Sequence, residues 1–219
     1  MYPTPQEGNE LSESNEHAKV FYHRIGTPQE QDELIFYEPD KPQLAPSISV
    51  SDDERFLFLY RSSSTYGNMF AFMDTRKSNP EWVHIVDDLK SNFWVMDIID
   101  NNIIAQTDRN SPFKKIVRID TDNPDEENWE TIIEGTKNQV LSYVNFVGGK
   151  YFAHFTENVT SVWKVYNVNG EFLYDVKLPG KGIVNGFNGK KDQFITWYSL
   201  NNSVNPSTIY QYDIEKNIS

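Results

Sequence analysis

The most constraining feature of the sequence is a pattern that occurs four times. In each copy an apolar run ends on Asp or Asn, and a second apolar run with an early aromatic residue follows after a polar loop; the clearest copy is Asn68–Asp74 followed by Glu81–Val86. The residues that close the four copies are Asp74, Asp120, Asn167 and Asp213, at separations of 46, 47 and 46 residues. A fixed period over most of a chain is typical of repeat architectures.

The residue types between the closing positions predict strands and not helices. Aromatic residues make up 14% of the chain, and runs of Val, Ile, Phe and Tyr suit the pleated surface of a sheet. Asp, Asn and Gly fill the short connections, where tight hairpins need positive φ or local side-chain hydrogen bonds. Because short connections join antiparallel neighbours and no long segment shows a 3.6-residue period, we predict antiparallel sheets with little helix.

The length of the repeat indicates which all-β fold is formed. Four-stranded antiparallel units of about 46 residues are typical of β-propeller blades. A β-sandwich also gives short strands at regular spacing, but the recurrence of the strand ending favours a propeller. We predict one partial propeller domain over 1–219, which begins with a loop at 3–17. It divides into a half blade (18–38), three blades (44–87, 93–134 and 140–178) and an incomplete blade (182–214). The missing strands indicate a fragment of a larger propeller.

Composition narrows the partners and the compartment. The chain has 20 Lys and Arg against 32 Asp and Glu, a formal charge of −12, so its surface repels phosphate backbones and anionic lipid. We therefore expect no nucleic-acid or membrane partner. There is no cysteine, which excludes disulfides and thiolate metal sites. The N-terminus lacks the basic and apolar regions of a signal peptide; we expect a soluble protein of the cytoplasm or periplasm, and the sequence does not decide between them.

Motifs that carry chemistry are few. The sequence has no Gly-x-Ser-x-Gly elbow and no His-Glu-x-x-His motif. Asp120–Asp125 resembles a calcium loop, but proline at its fifth position and the lack of glycine at its sixth favour a solvated turn. The four histidines fall in different repeats and are interpreted as strand residues, not ligands; they are His17, His23, His84 and His154. No catalytic residue, metal or cofactor is predicted.

Five stretches occur in an order and spacing that resemble a known family. They are Phe21–Asp32, Ser51–Arg55, Thr107–Pro112, Leu178–Gly180 with Val184–Gly186, and Pro206–Asp213. Together they resemble the propeller domain of the prolyl oligopeptidase family of serine peptidases. The resemblance implies a parent in which a seven-bladed propeller covers an α/β-hydrolase domain that supplies the Ser, Asp and His of the triad. This chain would be about four of those blades, from the middle of the third to late in the seventh, without the hydrolase domain.

The resemblance also implies three substrate-binding residues. Arg61 aligns with a propeller arginine that in the family reaches into the substrate pocket and binds a peptide carbonyl. Ser64 and Ala45 align with positions where mammalian members carry a cysteine and a methionine that line this pocket. Both differences make the pocket wall smaller or more polar, so the preference beyond the proline subsite is open.

Strand connectivity places these residues on one edge of the blades. In an antiparallel blade, the loop that enters strand one and the loop that joins strands two and three lie on the same face, which we call the rim. Ala45 is expected in the first kind of loop, and Arg61 and Ser64 in the second, with Arg61 solvated in the absence of the hydrolase domain. Further rim loops are expected at Asp108–Pro112, Glu157–Ser161 and Asn201–Ser207. We expect the rim to dock the hydrolase domain, through Asp108, Arg109, Asn110 and Ser111 in particular.

Three functions follow as hypotheses. The first is a non-catalytic propeller fragment of a prolyl endopeptidase, which gates access and positions short proline-containing peptides beside the hydrolase domain of the same parent chain. The second is a stand-alone propeller that binds proteins or peptides. The third, a propeller glycosidase with central carboxylates, is disfavoured because the innermost strands hold one Asp among the four units.

Truncation of a propeller leaves unpaired strands. The strand near Ile209 lacks its outer neighbour, and the hairpin over 20–37 lacks inner ones. Because unpaired edges recruit strands, we expect that the hairpin docks beside Ile209 or that the edges pair between two chains.

Overall fold

The structure is a computed structural model that describes Gly8, residues 14–204 and residues 206–219. The predicted loop at 3–17 therefore lies mostly outside the described residues, as does Asn205 of the predicted rim loop. In the described ranges all regular structure is β, apart from two three-residue 3-10 helices at Gln29–Gln31 and Glu126–Asn128. The prediction of an all-β fold with little helix is confirmed.

Seventeen strands form five antiparallel sheets in the described part of the chain. Each sheet is a meander, so that strands adjacent in sequence are neighbours in space. The first sheet has β1 (Val20–Tyr22) and β2 (Glu33–Phe36); the second has β3 (Ala45–Val50), β4 (Phe56–Ser62), β5 (Met69–Asp74) and β6 (Val83–Val86); the third has β7 (Phe93–Ile99), β8 (Asn102–Thr107), β9 (Lys115–Asp120) and β10 (Glu130–Glu134); the fourth has β11 (Val140–Val147), β12 (Lys150–Glu157), β13 (Thr160–Tyr166) and β14 (Phe172–Asp175); the fifth has β15 (Ile183–Asn188), β16 (Ile195–Asn201) and β17 (Thr208–Asp213).

The chain divides into two compact units, and the first spans residues 1–93. Its core is aromatic: Phe56 lies edge-on to Phe72, and Phe58 lies beside Phe70 on the neighbouring strand. Side chains on both faces of β5 are buried, which explains why that strand reads as a nearly continuous apolar run instead of an alternating one.

The second unit spans residues 94–219 and holds two apolar clusters. One joins the third and fourth sheets through Ile104, Ile116, Leu141 and Tyr151 among others. The other joins the fourth and fifth sheets around Trp163, whose indole Nε1 donates a hydrogen bond to the Val184 carbonyl at 3.3 Å. The third and fourth sheets are thus each stabilised by burial against the sheet that follows in the sequence.

The residues that define the repeat share one local structure. Asp74, Asp120 and Asp213 are the last residues of β5, β9 and β17, and Asn167 directly follows β13. In all four the side-chain Oδ1 accepts a hydrogen bond from the backbone N–H two residues later; these donors are Arg76 (3.0 Å), Asp122 (3.0 Å), Asn169 (3.0 Å) and Glu215 (3.1 Å). This contact is an Asx turn, which Asp and Asn form because their side chains can mimic a backbone carbonyl. The repeat therefore encodes the turn that ends each third strand.

Two edges bear on the expected effects of truncation. The first sheet contains only β1 and β2, and β17 pairs with β16 alone among the described strands. The hairpin belongs to the first unit and β17 to the second, so docking of the hairpin beside Ile209 stays a prediction. Pairing of edges between two chains stays a prediction.

Candidate functional site

Arg61 lies in a strand and not in a loop, which corrects its predicted place. It is the penultimate residue of β4, where it is paired with Pro46 on β3 and Met69 on β5. The expectation that Arg61 is solvated is also wrong, because its side chain is only 1% exposed. The strand runs on to Ser62 because β3 begins at Ala45 and provides pairing partners up to that residue.

Three side chains, those of Glu38, His84 and Asp87, surround the guanidinium of Arg61, and we call these four residues the Arg61 cluster. Arg61 Nη1 donates a hydrogen bond to Glu38 Oε2 at 2.9 Å, and Nη2 donates to His84 Nδ1 at 3.0 Å. Asp87 Oδ1 lies 3.4 Å from the same Nη2. Aromatic contact is also present, because the guanidinium carbon lies 5.9 Å from the centre of the Phe36 ring.

One donor of Arg61 has no acceptor. Its Nε is buried and makes no hydrogen bond within the described residues, although a buried polar group is normally paired. Arg61, Glu38 and Phe36 help to line a cavity of about 10 Å³, close to the smallest space that accepts one water molecule. The site thus has a buried cation with spare capacity to donate.

Glu38 is the most closely held anion of the cluster. Its carboxylate pairs with Arg61 at 2.9 Å and with Lys41 at 2.8 Å. Burial alone would raise its pKa, but hydrogen bonds and positive charge from Lys41 and Arg61 outweigh burial, so the pKa of Glu38 lies below its ordinary value. Glu38 is therefore ionised at neutral pH.

The other two predicted substrate residues lie at the same end of the second sheet as Arg61. Ala45 is the first residue of β3 and faces Ser62, so it is in a strand and not in the loop before it, which corrects its predicted place. Ser64 does lie in the loop after β4, where its hydroxyl donates to the Tyr66 carbonyl at 3.1 Å. The structure brings Ala45, Arg61 and Ser64 together at one end of one sheet.

The predicted interface loop of the second unit folds back on its own sheet. Arg109 Nε donates to Glu126 Oε2 at 2.8 Å, and Asn110 Nδ2 donates to the other carboxylate oxygen of Glu126 at 3.2 Å. Ser111 is buried and donates to Glu134 at 2.9 Å, while the Asp108 carbonyl accepts from the Ser111 N–H. These contacts hold the loop in a defined shape.

A groove in the second unit was not predicted from the sequence. Its volume is about 510 Å³, and it runs beside the β12–β13 turn, which was assigned to the rim. Residues that line it include Glu157, Asn158, Thr160, Ser161, Asp175 and Lys181. The groove is in the size range of ligand sites, with carboxylates and a lysine on its walls.

Sequence reasoning also missed the Arg61 cluster. In sequence, Arg61 is 23 positions from both Glu38 and His84 and 26 positions from Asp87, and no motif joins these residues. His84 was predicted to be a strand residue, and it does lie in β6. No group of three or more His, Asp or Glu residues that could hold a metal is found in the described ranges. None of the helices described is long and apolar enough to cross a membrane.

Comparison with known proteins identifies relatives along the whole length. Residues 1–219 match the model of the prolyl oligopeptidase N-terminal β-propeller domain. The chain is 32% identical over 214 residues to the prolyl endopeptidase of Elizabethkingia miricola, covering 98% of this chain and 30% of that protein. It is 26% identical to the dual function macrocyclase-peptidase POPB of Galerina marginata, covering 97% of this chain and 30% of that protein. The chain thus spans about 30% of the length of the curated relatives it matches.

Solved structures agree on the fold. Prolyl oligopeptidase B of Galerina marginata, bound to a 25mer macrocyclization substrate, superposes with a TM-score of 0.83 at 23% identity, covering 98% of this chain and 30% of that one. Identity at this level is evidence for the fold alone. The described sheets and the match of the family model over all 219 residues lead to one conclusion: the chain belongs to the prolyl oligopeptidase family and is part of its N-terminal β-propeller domain.

Proposed function

We propose that this chain is the non-catalytic propeller part of a prolyl endopeptidase, which works beside a hydrolase domain and helps to position short proline-containing peptides. The observation that carries the proposal is the match of the whole chain to the propeller domain, together with relatives named prolyl endopeptidase of which it spans about 30%. The five sheets would be a half blade, three blades and an incomplete blade of one seven-bladed ring. The gating of substrate access belongs to the same proposal.

Arg61 is the residue through which the propeller would contact substrate. A guanidinium donates five hydrogen bonds and accepts none, and its Nε has no acceptor within the described residues. Hydrogen bonds from a charged donor contribute about 1.5–3 kcal/mol. A peptide carbonyl that accepted such a bond would be held firmly, with Ala45 and Ser64 close by at the same end of the sheet.

The remaining rim residues are proposed to contact the hydrolase domain. Asp108, Arg109, Asn110 and Ser111 form the turn that is fixed by Glu126 and Glu134. A loop held in one shape before docking loses little conformational entropy when it binds, which supports an interface role.

The test is kinetic and uses the full-length protein that carries this domain. The expected result is hydrolysis of a glycyl-prolyl chromogenic peptide by the full-length protein and none by the 219-residue chain. Arg61→Met should raise KM about tenfold or more, equivalent to one charge-assisted hydrogen bond. Arg76→Met is the matched control, because Arg76 forms an exposed ion pair with Asp53 in the same unit. Cleavage by the purified chain alone, or equal KM values in both variants, contradicts the proposal.

A stand-alone peptide-binding propeller is the second candidate, and the groove of about 510 Å³ favours it. In that case the isolated chain should bind blocked proline-containing peptides in calorimetry, and Lys181→Met should weaken binding. If the isolated chain gives no heat of binding, this candidate fails.

A further inference from the structure

Three atoms of the Arg61 cluster form a closed triangle. Arg61 Nη2 lies 3.0 Å from His84 Nδ1 and 3.4 Å from Asp87 Oδ1, and His84 Nδ1 lies 3.2 Å from Asp87 Oδ1. Because a guanidinium can only donate, the contact of Arg61 with His84 Nδ1 is a hydrogen bond only when Nδ1 carries no proton. One titratable atom thus sits between a cation and a carboxylate.

We propose that His84 is a positioning residue for Arg61 and controls when the guanidinium can take a ligand oxygen. With a neutral ring, Nδ1 holds Arg61 in its buried position. When Nδ1 is protonated it becomes a donor, so it turns to the carboxylate of Asp87 and can no longer accept from Arg61. Arg61 Nη2 then loses its His84 acceptor and keeps only the long contact with Asp87, so it can donate to a peptide carbonyl or carboxylate. The inference rests on the proposed role of Arg61 in peptide binding.

The three partners differ in how easily a ligand could replace them. The side chain of Glu38 is 24% exposed, that of His84 is 41% exposed and that of Asp87 is 68% exposed. Asp87 also makes the longest contact, at 3.4 Å. A ligand oxygen would therefore replace Asp87, while Glu38 keeps its hold on Nη1 and fixes the plane of the guanidinium.

The charges around His84 give this exchange a direction. Facing the ring are Arg61 from β4 and Asp87 from the segment after β6; Glu38 and Lys41, from the segment after β2, line the cavity beside Arg61 together with His17. The residue opposite His84 on β5 is Ala71, which has no charge. Two cations and two anions cancel while His84 is neutral, so a proton on its ring leaves one positive charge in excess. An incoming carbonyl or carboxylate oxygen is stabilised by this excess, and ligand binding is thereby coupled to proton uptake.

The first experiment follows the Arg61 side chain by ¹⁵N NMR in the 219-residue chain. In the wild type the Arg61 N–H signals should shift as the pH falls from about 8 to about 5, the range in which imidazole titrates. His84→Asn keeps an acceptor oxygen near the position of Nδ1 but cannot take up a proton, so this shift should disappear. His23→Asn is the matched control, since His23 forms a separate pair with Asp32 at 2.6 Å, and it should shift as the wild type does.

The outcomes of this experiment separate clearly. Arg61 signals that stay constant in the wild type, or that shift equally in His84→Asn, overturn the inference. If His84→Asn does not fold, Asp87→Asn takes its place. Without a carboxylate to receive the protonated ring, Asp87→Asn should show a smaller shift of the Arg61 signals than the wild type, and an undiminished shift overturns the inference.

The second experiment uses the full-length protein and a blocked Gly-Pro peptide substrate. Between about pH 8 and about pH 6, the KM of the wild type should fall by a factor at least about three times larger than the KM of His84→Asn does. The ratio of the kcat values at the two pH values should be the same in both proteins. Identical KM profiles overturn the inference and leave the proposed function intact. Absence of hydrolysis refutes the proposed function instead, and the NMR result then decides the coupling of His84 to Arg61 by itself.

Discussion

Asp74 combines an Asx turn with an ion pair to Arg55 in which its own side chain is only 5% exposed, so its replacement tests how the repeat is stabilised. Its Oδ2 accepts hydrogen bonds from Arg55 Nε at 3.0 Å and Nη2 at 2.7 Å, while Oδ1 accepts the Asx-turn bond from Arg76. Asp120 forms the same turn but is exposed. We predict that Asp74→Ala destabilises the chain by about 3 kcal/mol, because it removes both hydrogen bonds that the Arg55 guanidinium donates to the Asp74 carboxylate. Asp120→Ala should cost about 1 kcal/mol, the size of one lost local hydrogen bond.

Asp74→Asn separates the two contacts. Asparagine keeps an Oδ1 that can close the turn, as Asn167 does in the fourth sheet at 3.0 Å, but it removes the charge that faces Arg55. Hydrogen bonds from Arg55 are the largest influence on the pKa of Asp74 and lower it, against an opposing effect of burial. The stabilisation by the carboxylate is thus complete above the unfolded pKa of about 3.9 and is lost as the pH falls through the lower folded value.

The assay is urea denaturation of the wild type and the variants at about pH 7 and about pH 2.5, with slopes compared to verify the same transition. At neutral pH we expect the free energy of unfolding of Asp74→Asn to lie between that of the wild type and that of Asp74→Ala. At about pH 2.5 it should approach the wild-type value. Equal losses for Asp74→Ala and Asp120→Ala would refute the argument that the buried pair, rather than the turn, dominates at this position. A difference between Asp74→Asn and the wild type that does not shrink in acid would refute the electrostatic explanation.

Three further predictions concern single positions. Val159 has φ of 64° at the tip of the β12–β13 turn and is 87% exposed. A β-branched residue is strained in the left-handed region, so Val159→Gly should raise the free energy of unfolding by about 1 kcal/mol. Urea denaturation measures this change, and a loss of stability would contradict the prediction. Burial lowers the pKa of His154, so its neutral form is favoured by folding and stability should fall as the pH drops below about 6.5; the urea midpoint should show a weaker pH dependence in His154→Gln, and an unchanged dependence would count against the argument. Gly67 has φ of +80°, and an added Cβ would lie 1.9 Å from the Leu89 carbonyl oxygen. Gly67→Ala should therefore lower the melting temperature by several degrees. Gly149 also has positive φ but has open space around it, so Gly149→Ala should lower the melting temperature less.

The sequence was sufficient to predict the scaffold because the scaffold is encoded locally. The Asx turns after Asp74, Asp120, Asn167 and Asp213 depend on the closing residue and the backbone two positions later. The spacing of these four closing residues therefore predicts the fold. The chemistry of residues far apart in sequence carries no comparable signal, which is why the contacts of Arg61 with Glu38 and His84 were found only in the structure.

The incorrect place of Arg61 has a specific cause. Pro46 suggests that strand one starts after it, and the run of serines after Arg61 resembles a loop. Yet β3 is the edge strand of its sheet, where a proline is tolerated because it need not donate to a neighbouring strand on that side. The ladder therefore extends two residues further than the local pattern indicates, and it carries Arg61 from the expected loop into a buried strand.

The meander within each sheet determines how the chain can be assembled. Within each sheet, strands that pair are neighbours in sequence, and each third strand ends at an Asx turn formed by the Asp or Asn that closes it. One sheet can therefore form without contacts between distant parts of the chain. Contacts that are close in sequence form fast, because loop closure costs little entropy. At synthesis rates of about 5–20 residues per second, a unit of about 46 residues is complete seconds before the next one emerges. Within the second unit, each completed sheet then provides an apolar face on which the next sheet can fold as it leaves the ribosome.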